Sequence, residues 1–168
     1  MRARPQVTGF TLTELAMTLV VVAILSGVAA TSLSGLASAR QNVAATRIRT
    51  AVVYAQEWAR GSNNRTWVAF DVASDLVSVY VENPSNPGKA NRLTLSDPLT
   101  RSAMTLQLGS DGAGIESAVF GGTAEVQFDS SGTPSNANGT LLATDGTVGV
   151  TGGGTVRVTR NTGLVTVD

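Results

Sequence analysis

The feature that most constrains this chain is a run of 25 residues, Leu15 to Ala39, without a single charged side chain. As an α-helix this run would be about 37 Å long, which exceeds the roughly 30 Å hydrocarbon core of a bilayer. The rest of a 168-residue chain is too small to bury such a helix inside a globular core. The sequence therefore predicts a transmembrane helix over residues 10–39.

The segment from Arg40 to Arg60 keeps a helical period but becomes amphipathic. Apolar residues recur at steps of four and three, which predicts one buried face formed by Ala44, Ile48, Ala51, Ala55 and Trp58. The opposite face is predicted to be polar and exposed, with Asn42, Thr46, Arg49, Gln56, Glu57 and Arg60. Gly61 follows as a candidate C-cap, and no proline interrupts residues 10–60. We therefore expect one continuous helix of about 50 residues, whose amphipathic half covers 40–61.

The remaining residues, 62–168, show the period of two that is typical of half-buried β-strands. Alternating apolar residues predict strands around 67–71, 77–81, 104–108, 124–129 and 156–158. The stretch from Ser130 to Gly154 is rich in Gly, Ser, Thr and Asn, and we interpret it as loops and hairpin tips. We predict an α+β fold in which the helix packs on one face of an antiparallel, β-sandwich-like domain of roughly six to eight strands.

Composition excludes several classes of catalytic site. The chain has no cysteine and no histidine, which rules out disulfides and both the Ser-His-Asp and the Cys-His arrangements. No pair of carboxylates stands out as a glycosidase site, and the glycines from Gly146 to Gly154 lack the Lys-Ser/Thr of a phosphate-binding loop. We predict no enzyme activity, cofactor or metal, although the glycine loop from Asp111 to Glu116 leaves calcium binding open.

The amino terminus contains the most specific motif of the chain. A short basic leader, residues 1–9, ends in Gly9, Phe10 follows, and Glu14 stands directly before the uncharged run. This arrangement resembles the prepilin signature of type IV pilin-like proteins. The resemblance implies that a membrane peptidase cuts between Gly9 and Phe10 and methylates the new amine of Phe10. It also implies that Glu14 pairs with the Phe10 ammonium of a neighbouring subunit while the helices stack into a filament.

The amino terminus has two other interpretations. A carboxylate near a membrane helix centre costs about 2.5–3.5 kcal/mol, so Glu14 is a functional candidate on physical grounds as well. The alternative is that Glu14 only marks the interfacial end of the helix. An ordinary secretory signal, cut after Ala37-Ser38-Ala39, is a second alternative, and it would leave a chain beginning at Arg40.

The carboxy-terminal half resembles a narrower group. Its closing strands are similar to those of the GspH/FimT group of pilin-like proteins, in the runs Phe128–Pro134, Gly139–Ala143, Thr155–Arg160 and Leu164–Val167. The resemblance implies a single-pass protein of the bacterial inner membrane whose domain 62–168 is periplasmic. It implies a minor subunit of a type II secretion pseudopilus that contacts other pilin-like subunits and supports protein export across the outer membrane. A minor pilin of a type IV pilus, serving assembly, adhesion or DNA uptake, is the alternative.

Charge argues against DNA binding by the β-rich region. Residues 61–168 hold 6 Lys+Arg against 10 Asp+Glu, a net charge of −4. The closing hairpin has Arg160 before its turn and no cation after the turn. Because affinity for a phosphate backbone depends on the cations that displace counterions, we expect negligible DNA binding by this region at physiological salt.

Overall fold

The structure is a computed structural model that describes residues 11–109, 112–152 and 154–168, without the side chains of residues 28–41. The predicted leader, residues 1–9, and Phe10 lie outside the described residues. The chain divides into two compact units, Met1–Ala37 and Ser38–Asp168.

One α-helix, α1, spans Leu12–Ser62. Its carboxyl end differs from the expectation, because Gly61 is still helical. Asn63 is the residue in the left-handed region, with φ of 56°. Asparagine adopts this conformation more readily than most residues with a side chain, so Asn63 takes the position after the helix that is usually filled by glycine.

The β-rich region contains ten strands among the described residues. They are β1 Thr66–Asp71, β2 Leu76–Val81, β3 Leu93–Thr94, β4 Thr105–Gln107, β5 Ile115–Val119, β6 Glu125–Phe128, β7 Pro134–Asn136, β8 Gly146–Val150, β9 Gly154–Val158 and β10 Val165–Val167. A short 3-10 helix, Lys89–Asn91, lies between β2 and β3. The strand number exceeds the prediction because several of these strands have only two or three residues.

The strands form two antiparallel sheets. The larger sheet has the order β3-β2-β1-β6-β7, with β4 also paired to β2, and the smaller sheet has the order β10-β9-β8-β5. The β1–β2 hairpin is in register from Thr66 opposite Val81 to Asp71 opposite Leu76. Its turn is closed by the Asp71 carboxylate, which accepts a hydrogen bond from the backbone N–H of Ala73 at 3.0 Å. The α+β class and the antiparallel pairing agree with the prediction.

The prediction of loops throughout Ser130 to Gly154 is wrong, because this stretch contains β7 and β8. Gly146 occupies a buried position at the start of β8. A Cβ built on it would lie 2.2 Å from Cδ1 of Phe120. The glycine is therefore explained by the close approach of an aromatic ring, and it does not mark a turn.

The closing segments follow the expected order with one exception. Thr155–Arg160 overlaps β9, and Leu164–Val167 contains β10. Gly139–Ala143 does not form a strand, because its only β-pairing is an isolated bridge between Leu141 and Ser135.

One hydrophobic core joins the second half of α1 to both sheets. The helix side of this core consists of Ala44, Ala45, Ile48, Ala51, Val52, Ala55 and Ala59. Buried valines from both sheets lie in the same core, among them Val79 of β2 and Val156 of β9. The alanines let the helix backbone approach closely: a Cβ on Gly154 would lie 3.3 Å from that of Ala45. The helix was expected to cover one sheet, and its buried face instead contributes to a core shared by both.

Candidate functional site

Glu14, the predicted assembly residue, lies in the first turn of α1. Its Oε2 accepts hydrogen bonds from the Thr11 backbone N–H at 3.3 Å and from the Thr11 hydroxyl at 3.2 Å. In return, Thr11 Oγ1 accepts a hydrogen bond from the Glu14 backbone N–H at 3.2 Å. This reciprocal arrangement is a capping box of the type Thr-x-x-Glu. In the single chain, Glu14 therefore caps its own helix.

Thr11, the hydrogen-bond partner of Glu14 within its own chain, is not one of the predicted site residues. Thr11 belongs to the segment that contains the predicted cleavage site, and the Thr-x-x-Glu spacing is itself a signal for a helix start. Gly9 and Phe10, the predicted cleavage residues, lie outside the described residues, so their position relative to Glu14 is not part of the structure.

The helical segment next to Glu14 exposes large apolar side chains on all sides. Each of them is 54–86% exposed in the single chain: Leu12, Leu15, Met17, Leu19, Val20, Val21, Val22, Ile24 and Leu25. A helix that is apolar all round is stable only when lipid or protein covers it. Among the residues that the structure describes, no helix is long and apolar enough to cross a membrane. The membrane span over 10–39 stays a prediction.

The burial of two residues of the amphipathic half differs from the prediction. Trp58, predicted to be buried, is 39% exposed and packs on Tyr54 with ring centroids 6.0 Å apart. Gln56, predicted to be exposed, is buried. Its Nε2 donates to the carbonyl of Gly132 at 2.8 Å and to the carbonyl of Thr162 at 3.2 Å.

The buried face is rotated relative to the predicted one. It includes Ala45, Val52 and Ala59, which the predicted stripe left out. At 3.6 residues per turn, these three residues move the centre of the face away from Trp58 and toward Gln56. Small side chains are placed where the helix meets the sheets, and the tryptophan lies at the margin.

Two arginines on the exposed side of this half-helix form hydrogen bonds to the β-rich region. Arg49 Nε donates to the carbonyl of Val165 in β10, and Arg60 Nε donates to the carbonyl of Ser131, each at 3.1 Å.

The Asp129 carboxylate stabilises the loop whose Ser131 carbonyl accepts the hydrogen bond from Arg60. Partial burial alone would raise the pKa of Asp129, but hydrogen bonds from the Ser131 hydroxyl and from backbone N–H groups of the loop outweigh it and lower that pKa. The charged carboxylate is thus part of the loop structure.

A second shifted carboxylate holds the end of β2. The hydrogen bond from the Arg65 guanidinium lowers the pKa of Glu82, and the backbone N–H of Gly88 donates to the same carboxylate at 3.1 Å. Glu82 therefore fixes the segment that follows β2. The lowered pKa values of Glu82 and Asp129 are explained by the loops that these carboxylates stabilise, so neither shift requires a catalytic role.

The calcium and phosphate alternatives receive no support from the described residues. Asp111 lies outside them, and Glu116 is exposed in β5. In the described part of the chain, no group of three or more acidic side chains is close enough to hold a metal ion. The glycines at 146 and 149 lie within β8, which pairs with β9 in an antiparallel hairpin and not in a strand–loop–helix unit.

The two arginines of the closing hairpin are engaged within the domain. Arg157 Nε lies 2.9 Å from Asp168 Oδ2, and Arg157 Nη1 lies 3.9 Å from Asp145 Oδ2. Arg160 Nη1 donates to the carbonyl of Ala143 at 2.5 Å. Contacts to a phosphate backbone would have to replace these interactions, which adds to the unfavourable net charge.

Comparison with known proteins identifies the fold. No family model matches the sequence, and no curated protein matches it. Two solved structures of the minor pseudopilin EpsH from the type 2 secretion system of Vibrio cholerae are similar to this chain. One has a TM-score of 0.57 at 12% identity and covers 76% of this chain and 94% of that chain. The other has a TM-score of 0.56 at 14% identity and covers 76% and 92%. The chain thus has a GspH-like pilin fold.

Proposed function

We propose that this protein is a minor, pilin-like subunit of a type II secretion pseudopilus, which supports protein export across the outer membrane. The observation that carries the proposal is the pseudopilin fold, which extends over three-quarters of the chain. A structural role follows from it: the protein would act by assembling with other pilin-like subunits and not by catalysis. A minor pilin of a type IV pilus would need the same helix, but the similar structures belong to a type 2 secretion system.

Processing and location complete the proposal. A prepilin peptidase would remove residues 1–9 by cutting between Gly9 and Phe10, and the new Phe10 amine would be methylated. The helix would anchor the protein in the inner membrane by a single pass, with residues 62–168 in the periplasm. The basic leader, the uncharged run after Glu14 and the exposed apolar side chains of that helix support this placement.

In the assembled state, Glu14 would pair with the Phe10 ammonium of a neighbouring subunit. The capping box prepares the carboxylate for this role, because Thr11 hydrogen-bonds to Oε2 and fixes the side chain at the helix start. Glu14 therefore has two separable contributions. One is local capping, worth about 1 kcal/mol. The other is the intersubunit ion pair, whose disruption in a buried site costs about 3–5 kcal/mol.

Three substitutions separate the two contributions. Glu14→Gln keeps the capping box, because glutamine serves equally well at this position, but removes the charge. Thr11→Ala removes the cap and keeps the charge, and Glu14→Ala removes both. We expect Glu14→Gln to be cleaved normally and to enter filaments as poorly as Glu14→Ala, whereas Thr11→Ala enters them almost normally. Sheared-fraction blots measure incorporation, and the mass of the mature chain verifies cleavage.

The opposite pattern would contradict the proposal. If Glu14→Gln enters filaments as well as the wild type while Thr11→Ala and Glu14→Ala fail, Glu14 acts only as a helix cap. The intersubunit ion pair would then have to be abandoned.

A further inference from the structure

The larger sheet has one face in the core and a second face, which we call the outer face. Val77 and Val79 of β2 belong to the core, so Ser78, which lies between them, is on the outer face. Ser78 lies opposite Ala69 of β1, and Ala69 lies opposite Glu125 of β6. Neighbouring strands are about 4.8 Å apart, so this row of three residues crosses about 10 Å of the outer face.

A groove with a volume of about 410 Å³ lies over this row. Its floor includes the small residues Ala69 and Ser78, which let a ligand approach the sheet closely. Tyr80 also lines the groove, and two segments outside the sheet contribute Lys89, from the 3-10 helix, and Asn138, from the turn after β7. The volume is within the range of roughly 300–1,000 Å³ that is typical of small-molecule sites.

Two polar groups that are buried on the outer face have no hydrogen-bond partner among the residues that the structure describes. Ser78 lines the groove and is only 8% exposed, and its hydroxyl forms no hydrogen bond to any of these residues. Trp67 lies opposite Tyr80 in the next row of the same face, and its buried indole N–H is also unpaired. Because nearly all buried polar groups in folded proteins have a partner, the Ser78 hydroxyl is available to a molecule bound in the groove.

The charged residues at the groove balance each other. Lys89 Nζ lies 3.1 Å from Glu125 Oε2, and the Arg92 guanidinium pairs with the same carboxylate. The two cations and Glu125 leave one positive charge, which the Asp71 carboxylate in the groove lining offsets. A strongly charged ligand, such as a phosphate, would therefore gain little electrostatic attraction here. The site suits a neutral, polar molecule.

We propose that this groove binds a short oligosaccharide, with its flat, extended chain of hexoses lying over Ala69 and Ser78. Sugar hydroxyls both donate and accept hydrogen bonds, which suits the hydroxyls of Ser78 and Tyr80 and the amide of Asn138. An extended peptide fits less well. The backbone groups of β1 already pair with β2 and β6, and peptides that bind to sheets usually add to a free strand edge. The inference goes beyond the proposed function and rests on the β-rich region alone.

Saturation-transfer difference NMR on the full chain tests this binding, in micelles of a detergent without a sugar headgroup. The probes with extended chains are chitotetraose, made of N-acetylated amino sugars, and cellotetraose, made of glucose. Maltotetraose, a glucose chain that coils, and the peptide tetra-alanine are the comparison ligands. We expect saturable binding of an extended chain, and about ten-fold weaker binding of both comparison ligands. The tighter of the two extended probes distinguishes an amino-sugar source from a glucose source.

Three variants locate the bound sugar. Ser78→Ala removes only the hydroxyl and should weaken binding about five-fold, because one hydrogen bond is lost. Ala69→Val fills the floor of the groove and should abolish binding, while valine remains well suited to a strand. Ser117→Ala is the matched control, because Ser117 is exposed in β5 of the other sheet, and it should leave the affinity unchanged. Thermal unfolding verifies that each variant is folded.

The inference fails if neither extended probe binds saturably at concentrations up to about 10 mM. It fails equally if Ser78→Ala and Ala69→Val bind the sugar as tightly as the wild type, because the sugar would then lie elsewhere. Tetra-alanine binding that Ala69→Val abolishes, without any sugar binding, would identify a peptide site instead. None of these measurements depends on filament assembly, so each result leaves the pseudopilin proposal to its own test.

Discussion

Replacement of Gln56 by alanine should destabilise the β-rich region strongly, although a polar residue on an amphipathic helix would ordinarily be dispensable. The Gln56 side chain connects α1 to two separate loops through the carbonyls of Gly132 and Thr162. Loss of the part-buried hydrogen bond to Thr162 costs about 1 kcal/mol, and the buried Gly132 carbonyl left without its donor costs about 1–3 kcal/mol. Because one of the two carbonyls is fully enclosed, we expect a total loss of about 2–4 kcal/mol.

Close packing around the Gln56 side chain prevents the neighbouring backbone from relaxing to compensate for the lost hydrogen bonds. Gly163, with φ of 67°, lies so near that a Cβ on it would be 2.2 Å from Gln56 Nε2 and 2.7 Å from the Gly132 carbonyl oxygen. The backbone in this region therefore has little freedom to collapse into the space that the alanine variant leaves. Gln56→Met, which keeps the length of the side chain but has no donor, should lose about 2 kcal/mol.

The assay is thermal unfolding of the full chain in detergent micelles, followed by tryptophan fluorescence. A Trp58→Phe background leaves Trp67 of β1 as the reporter, and Trp67 is completely buried. For a region of this size, 1 kcal/mol corresponds to about 4 °C in Tm, so Gln56→Ala should lower Tm by about 8–16 °C. Glu57→Ala is the matched control, because Glu57 is exposed and its pair with Arg60 contributes less than about 1 kcal/mol.

The difference in Tm between Gln56→Ala and Glu57→Ala decides whether this reasoning holds. If Gln56→Ala lowers Tm no more than Glu57→Ala does, the two hydrogen bonds do not hold the helix on the β-rich region. The rotation of the buried face toward Gln56 would then lack energetic significance.

Three further expectations concern the β-rich region. Gly146→Ala should destabilise it by about 1–3 kcal/mol, because the added methyl group would overlap the Phe120 ring; unchanged thermal unfolding would contradict this packing. Arg65 lowers the pKa of Glu82 from its ordinary value of 4.5, so the ion pair contributes stability that is present above that value and lost as the pH falls through the lower folded pKa. Urea unfolding between about pH 5 and 3 should therefore show a shallower pH dependence for Glu82→Gln, and identical profiles would refute the linkage. The full chain in micelles should not bind a fluorescent DNA duplex at physiological salt, and low-micromolar affinity that disappears in Arg157→Ala would contradict the charge argument.

Local chemistry made much of the helix predictable. The absence of proline from residues 10–60 and the period of the apolar residues indicate a long helix, and α1 spans Leu12–Ser62. The sequence predicted the end of the helix too early, because glycine is the residue most common after a helix and Gly61 fits that expectation. In the structure Asn63 adopts the left-handed conformation instead. The sequence predicted the buried side of the helix only approximately. The sheets that cover it lie far along the chain, and they pack against alanines and leave Trp58 partly exposed.

Strands were predictable where valines alternate and not where glycines take their place. β2 and β9 follow from alternation alone, but β8 begins with a glycine that the ring of Phe120 requires. Such a requirement comes from a residue 26 positions earlier in the chain, and no local pattern contains it. The same limit applies to Gln56, whose partner Gly132 is 76 positions away.

The candidate site was predictable in part. The residues from Gly9 to Glu14 identify the start of the helix and single out the carboxylate, and the Thr-x-x-Glu spacing contains the capping box as well. The groove between α1 and β10 was not predictable, because Arg49 and Val165, which both line it, are 116 positions apart in the chain.

The mass of the mature amino terminus, measured on full-length protein extracted from the membranes of its host, tests the pilin-like assignment most directly. Removal of the nine-residue leader from the 168-residue chain leaves 159 residues, and we predict that this chain begins with N-methylated Phe10. Replacement of Gly9 by a bulky residue should leave the precursor uncut. A mature chain that begins at Arg40 would identify an ordinary secretory signal and would contradict assembly through the amino-terminal helix.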